Sequence, residues 1–173
     1  MKFLLRILKS LNSGAAYTQR VILIVVSITV TCTMFTEVVA RYVFQTPIWG
    51  MDEITGHTAV WLYLIGAAYG TYERSHIKAE FANMMFKNPR TLTIIKLVTA
   101  AIAAVMAGYM TIWGYGYIYW SITQHEVLPT LMWPTVYFQF PILLGAILMC
   151  IYFVVEAVDY SRELHRYRAP ASR

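Results

Sequence analysis

Fourteen lysines and arginines are distributed around four apolar stretches, and this placement is what most constrains the fold of the chain. The stretches run from Val21 to Val39, Ile54 to Tyr72, Leu92 to Trp120 and Val136 to Val158. As helices rising about 1.5 Å per residue, each is long enough to cross a hydrocarbon core of about 30 Å. The basic residues occupy alternate gaps. Lys2, Arg6, Lys9 and Arg20 precede the first stretch, and only Arg41 separates the first from the second. Arg74, Lys78, Lys87 and Arg90 fill the next gap, the gap after that has none, and Arg162, Arg166, Arg168 and Arg173 follow the fourth stretch. Short basic loops stay on the cytoplasmic side of a membrane. The expected structure is an all-α integral membrane protein. It forms a single domain over 1–173, with four transmembrane helices near 18–41, 52–73, 91–121 and 134–160 and both termini in the cytoplasm.

Charged residues make up 13% of the chain and apolar residues 58%, where a soluble domain carries about 25% charged residues. The net charge of +5 does not point to nucleic acid, because it is split among three segments that flank spans. Phospholipid headgroups are the expected partner of those segments. Cys32 and Cys150 lie inside the first and fourth spans and form no C-x-x-C pair, so they read as small buried hydrophobes. The basic start and the apolar run after it are both too long for a signal peptide, and the first span is expected to remain uncleaved.

Two interfacial helices are expected. Leu4, Leu5, Leu8 and Leu11 share one face of the first 14 residues and Lys2, Arg6 and Lys9 the other, an amphipathic segment that Asn12-Ser13-Gly14 should end. In the central basic gap, Ile77, Phe81, Met84 and Met85 repeat at helical spacing over 75–88, with Ser75 as cap and Asn88-Pro89 as stop. The third span is rich in alanine. Ala100, Ala104 and Gly108 form a small-residue series on which another helix can pack closely. Tyr109, Trp113, Tyr115, Tyr117, Tyr119 and Trp120, with Trp133 and Tyr137, suit an aromatic belt at the outer interface. The length of the third pattern implies tilt or projection beyond the membrane, and Pro141 is placed to kink the fourth helix.

Charges within spans are functional candidates by default. Here they gather at the ends. Glu37 and Arg41 are spaced to pair on one helix face, and Lys96 either meets Glu156 or reaches to the headgroups. No charge sits at the centre of a span. Ser27, Thr29, Thr31 and Thr33 are the polar cluster there, and such hydroxyls bond back to their own helix. His57 and His125 are not at matched depth for a haem, and no nucleotide loop, metal set or catalytic triad is visible. No catalytic residue, cofactor or metal is expected.

One region carries a more specific signal. It reads R-Y-V-F-Q-T-P-I-W-G-M-D-E-I from Arg41, followed by W-L-Y-L-I-G-A-A-Y-G-T-Y-E-R-S-H-I-K-A-E-F from Trp61. This resembles the small permease subunit of tripartite ATP-independent periplasmic (TRAP) transporters, the DctQ-like family. The resemblance rests on Arg41 and Tyr42, Trp49 with Asp52 and Glu53, Trp61 and Leu62, Gly66 with Ala67 and Ala68, and His76 with Ile77. Glu80 stands where the family often has an acidic residue. The resemblance implies a non-enzymatic inner-membrane partner of a large TRAP permease subunit, fed by a periplasmic substrate-binding protein. The large subunit would translocate an organic acid on an ion gradient, while the small one serves as scaffold. Arg41, Tyr42, Trp49, Asp52, Glu53, Trp61, Gly66, Ala67 and His76 are then candidate subunit-contact residues. For Asp52 and Glu53 the competing reading is a charge at a helix start opposing the dipole. A different class, a stand-alone four-helix redox carrier or lipid-interacting protein, is the alternative that a coloured or partner-free preparation would favour.

Overall fold

The computed structural model describes residues 2–73 and 88–168. They form four helices: α1 (Lys2–Tyr42), α2 (Met51–Tyr72), α3 (Pro89–Thr123) and α4 (Val136–Arg168). Three of them, α1, α3 and α4, are long and apolar enough to cross a membrane. The interfacial helix expected over 75–88 falls almost entirely outside the described residues, as does His76.

α1 is a single helix of 41 residues, so the expected break at Asn12-Ser13-Gly14 is absent. None of the three is proline. As weak helix formers they cost only about 0.5–1 kcal/mol each relative to alanine. Breaking the helix there would also free backbone groups that need new partners. The Thr18 hydroxyl instead donates to the Gly14 carbonyl at 3.1 Å, within the continuous helix. The mid-helix hydroxyls are satisfied in the same way. Thr29 donates to Val25 O (2.9 Å), Thr31 to Ser27 O (2.8 Å) and Thr36 to Cys32 O (2.8 Å). An apolar surround can therefore accept this helix, and much of its surface is indeed apolar and open, with Ile28 60% and Phe35 70% exposed.

The helices pack as an open row in the order α1–α2–α4–α3, not as a closed bundle. Antiparallel α3 and α4 share the longest contact. The buried residues of α3 are Thr93, Ala100, Ala107, Gly114 and Ser121, each seven positions after the last. A strict seven-residue repeat keeps one stripe turned toward a neighbour along the whole helix. Small side chains on that stripe bring the backbones close: a Cβ at Gly114 would stand 3.5 Å from the Leu143 Cα. The series Ala100, Ala104 and Gly108 lies only partly on this stripe. Ala100 is 4% exposed, whereas Ala104 and Gly108 are half-buried beside Cys150. Four-residue steps advance about 40° around a helix, and seven-residue steps drift by only about 20°.

α2 and α4 meet most closely at Gly145. A Cβ there would lie 3.1 Å from both the Cβ and the carbonyl oxygen of Leu64. Ile65, Ala68 and Ala146 fill the space around this crossing and are at most 1% exposed. α1 leans on α2 through Leu23 against Gly66. One hydrogen bond reaches from α1 to α4: the Tyr152 hydroxyl donates to Gln19 Oε1 at 3.0 Å, and both residues are buried. Pro141 lies inside α4 with its ring fully buried.

Candidate functional site

Five of the residues singled out by the motif, Arg41, Tyr42, Trp49, Asp52 and Glu53, gather at the end of the molecule where α1 stops and α2 begins. Arg41, in the last turn of α1, holds Glu37 at 2.7 Å through the four-residue spacing of a helix face. The same Nη2 reaches Asp52, in the first turn of α2, at 3.2 Å. One guanidinium thus joins two helices, and it remains 48% exposed, open to a further partner. Between them the chain turns through backbone bonds from Val43 N to Val39 O (2.9 Å) and Thr46 N to Ala40 O (3.1 Å). Gly50 completes the turn with φ +82°, a left-handed conformation that suits glycine. Leu131 closes over it, 3.0 Å from where a Cβ would stand, so this glycine answers both a backbone and a packing demand.

Asp52 and Glu53 are adjacent but face different elements. The Glu53 carboxylate accepts the backbone N–H of Thr130 at 2.8 Å and of Leu131 at 3.1 Å. These belong to the α3–α4 connection, which folds back on itself. Leu128 N donates to Trp133 O (2.8 Å), Thr135 N donates to Glu126 O (3.0 Å), and Leu128 is buried at 3% exposure. Both acids sit in the first turn of α2, where negative charge opposes the helix dipole, but neither makes a side-chain cap bond to that helix. They tie α1 and the α3–α4 loop to the start of α2.

A second polar knot holds the same loop from beneath. Glu126 Oε2 accepts the Ser121 hydroxyl and the Gln139 amide N–H, each at 3.0 Å, and so joins the end of α3 to the start of α4. His57 hydrogen-bonds through Nδ1 with the Glu53 carbonyl (2.6 Å), and its ring lies 4.7 Å from Phe138. Trp61 packs 6.3 Å from Phe140. Neither Glu126 nor the Glu53–loop contact was signalled by spacing, because each bond spans a chain reversal. Gln139 alone, a polar residue opening an apolar helix, hinted at such a partner.

The remaining motif residues divide by exposure. Trp49 is 87% exposed and Tyr42 74%, beside the equally open Val43 and Phe44. Gly66 faces α1, Ala68 is buried in the row, and Ala67 points outward. Lys96 makes no ion pair among the described residues, although α3 and α4 do touch near it through Thr93 and Glu163 at 3.5 Å. Among the described residues no three His, Cys, Asp or Glu side chains are grouped to hold a metal ion.

A family model described as tripartite ATP-independent periplasmic transporters, DctQ component, matches residues 30–163. Comparison with curated proteins gives no match.

Proposed function

Because the chain belongs to the DctQ family, the small component of TRAP transporters, we propose that it is the fixed scaffold of an ion-driven uptake system for an organic acid. The family is one of transporter components rather than enzymes, and its members work with a large permease subunit and a substrate-binding protein. The chain is a multi-pass protein of the inner membrane. In our reading the coupling ion is sodium, and the large subunit carries both ion and substrate. The observation that carries this reading is the placement of polar groups. In the described apolar spans the charged side chains stand near the ends, Arg20 at the start of the apolar length Ala16–Tyr42 of α1, and the Thr29, Thr31 and Thr36 hydroxyls are occupied by their own backbone. An ion-coupled site needs polar groups or unwound backbone near the midplane.

Reconstituted alone in liposomes, the chain should give no sodium-driven organic-acid uptake, and adding the large subunit with the binding protein should restore it. Uptake by this chain alone would end the scaffold reading.

We also infer that α2 is a fourth span and that both termini are cytoplasmic. α2 has 22 residues, about 33 Å of helix. It is less apolar than the others, but its Thr58 hydroxyl is bonded to Ile54 O (2.6 Å) and His57 to Glu53 O, and the helix is flanked by α1 and α4. Short basic loops then place Arg90 and Arg162 inside. With Cys32 and Cys150 replaced, single cysteines at Thr46 or His125 should react with an impermeant maleimide from outside intact cells, and one at Asn88 should not. The opposite pattern reverses the orientation.

A further inference from the structure

Between α3 and α4, in the half that ends near Arg162, lies an open groove of about 540 Å³. Ala101 and Ala104 on one helix and Ala157 and Val158 on the other form its apolar walls, while Ser161 and Arg162 form its polar end. The groove exists because alanines face each other where larger side chains would interlock. Its ends differ chemically. From Val136, α4 climbs about 39 Å to reach Arg162, beyond a hydrocarbon core of about 30 Å and at the depth of headgroups. Ala157 and Val158 lie about 6–8 Å nearer the core, where acyl chains begin, and Ala101 and Ala104, about 12–16 Å along α3 from Thr93, lie deeper among them. Arg162 has no hydrogen bond or ion pair among the described residues. The contact of Thr93 with Glu163 sets the register of the two helices and puts Lys96, also without an ion pair there, about 3 Å deeper than Arg162.

We propose that this groove binds one anionic phospholipid, with an acyl chain along Ala101, Ala104, Ala157 and Val158 and the phosphate on Arg162 and the Ser161 hydroxyl. Charge complementarity selects the occupant. A cation at headgroup depth with no bond to a described residue attracts a negative lipid, and a groove that is apolar below it suits a chain attached to that lipid. The bound lipid would stiffen the α3–α4 pair where its side chains are smallest.

The test uses the full chain in detergent, mixed with micelles containing phosphatidylglycerol or phosphatidylcholine, with retained lipid read by native mass spectrometry. Wild type should retain phosphatidylglycerol in preference. Arg162→Gln should weaken that retention about fivefold, the effect of one basic side chain at a headgroup, and Arg162→Lys should restore most of it. Ala101→Leu, a change on the exposed wall, should block the groove and abolish retention without lowering the unfolding midpoint. Equal retention of the two lipids would overturn the proposal, as would undiminished phosphatidylglycerol on Arg162→Gln or on Ala101→Leu. So would an Ala101→Leu chain that keeps the lipid and loses only its large-subunit partner, which would assign the groove to protein.

Discussion

Gly145→Leu should cost about 3 kcal/mol of stability, the upper end of what inserted bulk normally costs in a packed interior. The reason is the identity of the neighbour. A Cβ at Gly145 already meets the Leu64 carbonyl oxygen at 3.1 Å and carbonyl carbon at 3.3 Å. A flexible side chain could swing away from the intruder, but backbone within a helix cannot, so α2 and α4 must separate. Because α2 and α4 form the centre of the row, their separation also divides α1 from α3. Thermal unfolding of the purified chain should show a clearly lowered midpoint, with reduced yield. Gly116→Leu is the control, since nothing lies within 4 Å of a Cβ there. It should fall within about 0.5 kcal/mol of wild type, as exposed substitutions do. Equal midpoints for the two variants would mean that α2 and α4 do not cross at Gly145.

Removing the Glu53 carboxylate should release the α3–α4 loop while leaving the four helices in place. Glu53→Ala strips the acceptor from two backbone N–H groups at once, Thr130 and Leu131. Charge-assisted bonds of this kind are roughly twice as strong as neutral ones. With a cysteine at Thr130 in a background without Cys32 and Cys150, maleimide reaction should accelerate several-fold on Glu53→Ala. Glu53→Gln keeps an acceptor oxygen without the charge and should fall between. Asp52→Ala removes contacts with α1, to Arg41 and Glu37, and none with the α3–α4 loop among the described residues, and should leave labelling at position 130 unchanged. If the Asp52 variant accelerates labelling as much as the Glu53 variant, the two acids act as one unit, and the division of their roles is wrong. Failure of Glu53→Ala alone to assemble with the large subunit would tie this clamp to the docking of that partner.

Much of this protein follows from one-dimensional information. Helices as the dominant element, their approximate positions, and the confinement of charge to the ends of their apolar lengths follow from hydropathy and from backbone that must satisfy itself in lipid. Contacts within one helix follow as well. Arg41 meets Glu37 because residues four apart share a face, and Thr29 and Thr31 donate to carbonyls of the preceding turn. The family is readable from the ordered residues between Arg41 and Phe81, although His76 and Ile77 fall outside the described structure.

Local propensity misled in one place. Asn12-Ser13-Gly14 are poor helix formers, but their cost is small beside that of breaking a helix, and α1 runs through them. The seven-residue stripe of α3 was present in the letters, since Thr93, Ala100, Ala107, Gly114 and Ser121 are all small. It was hidden by other small residues nearby, and only the position of α4 distinguishes a stripe that touches a helix from one that does not.

The tertiary structure decided what hydropathy leaves undetermined. Four apolar helices of similar character can be arranged in several orders, because the solvent around them ranks no apolar face above another. Gly145 against Leu64 and Gly114 against Leu143 place α4 between α2 and α3; a Cβ at Gly145 would crowd the Leu64 backbone at 3.1 Å, whereas at Gly114 smallness is what counts, since a Cβ there would meet Leu143 in ordinary contact at 3.5 Å. The loop contacts of Glu53 and Glu126 likewise depend on a chain reversal that brings residues 77 and 13 positions apart within bonding distance. Sequence placed the charges at the ends of the apolar spans through the cost of burying them in lipid, and the fold chose their partners, because a hydrogen bond depends on distance in space and not along the chain.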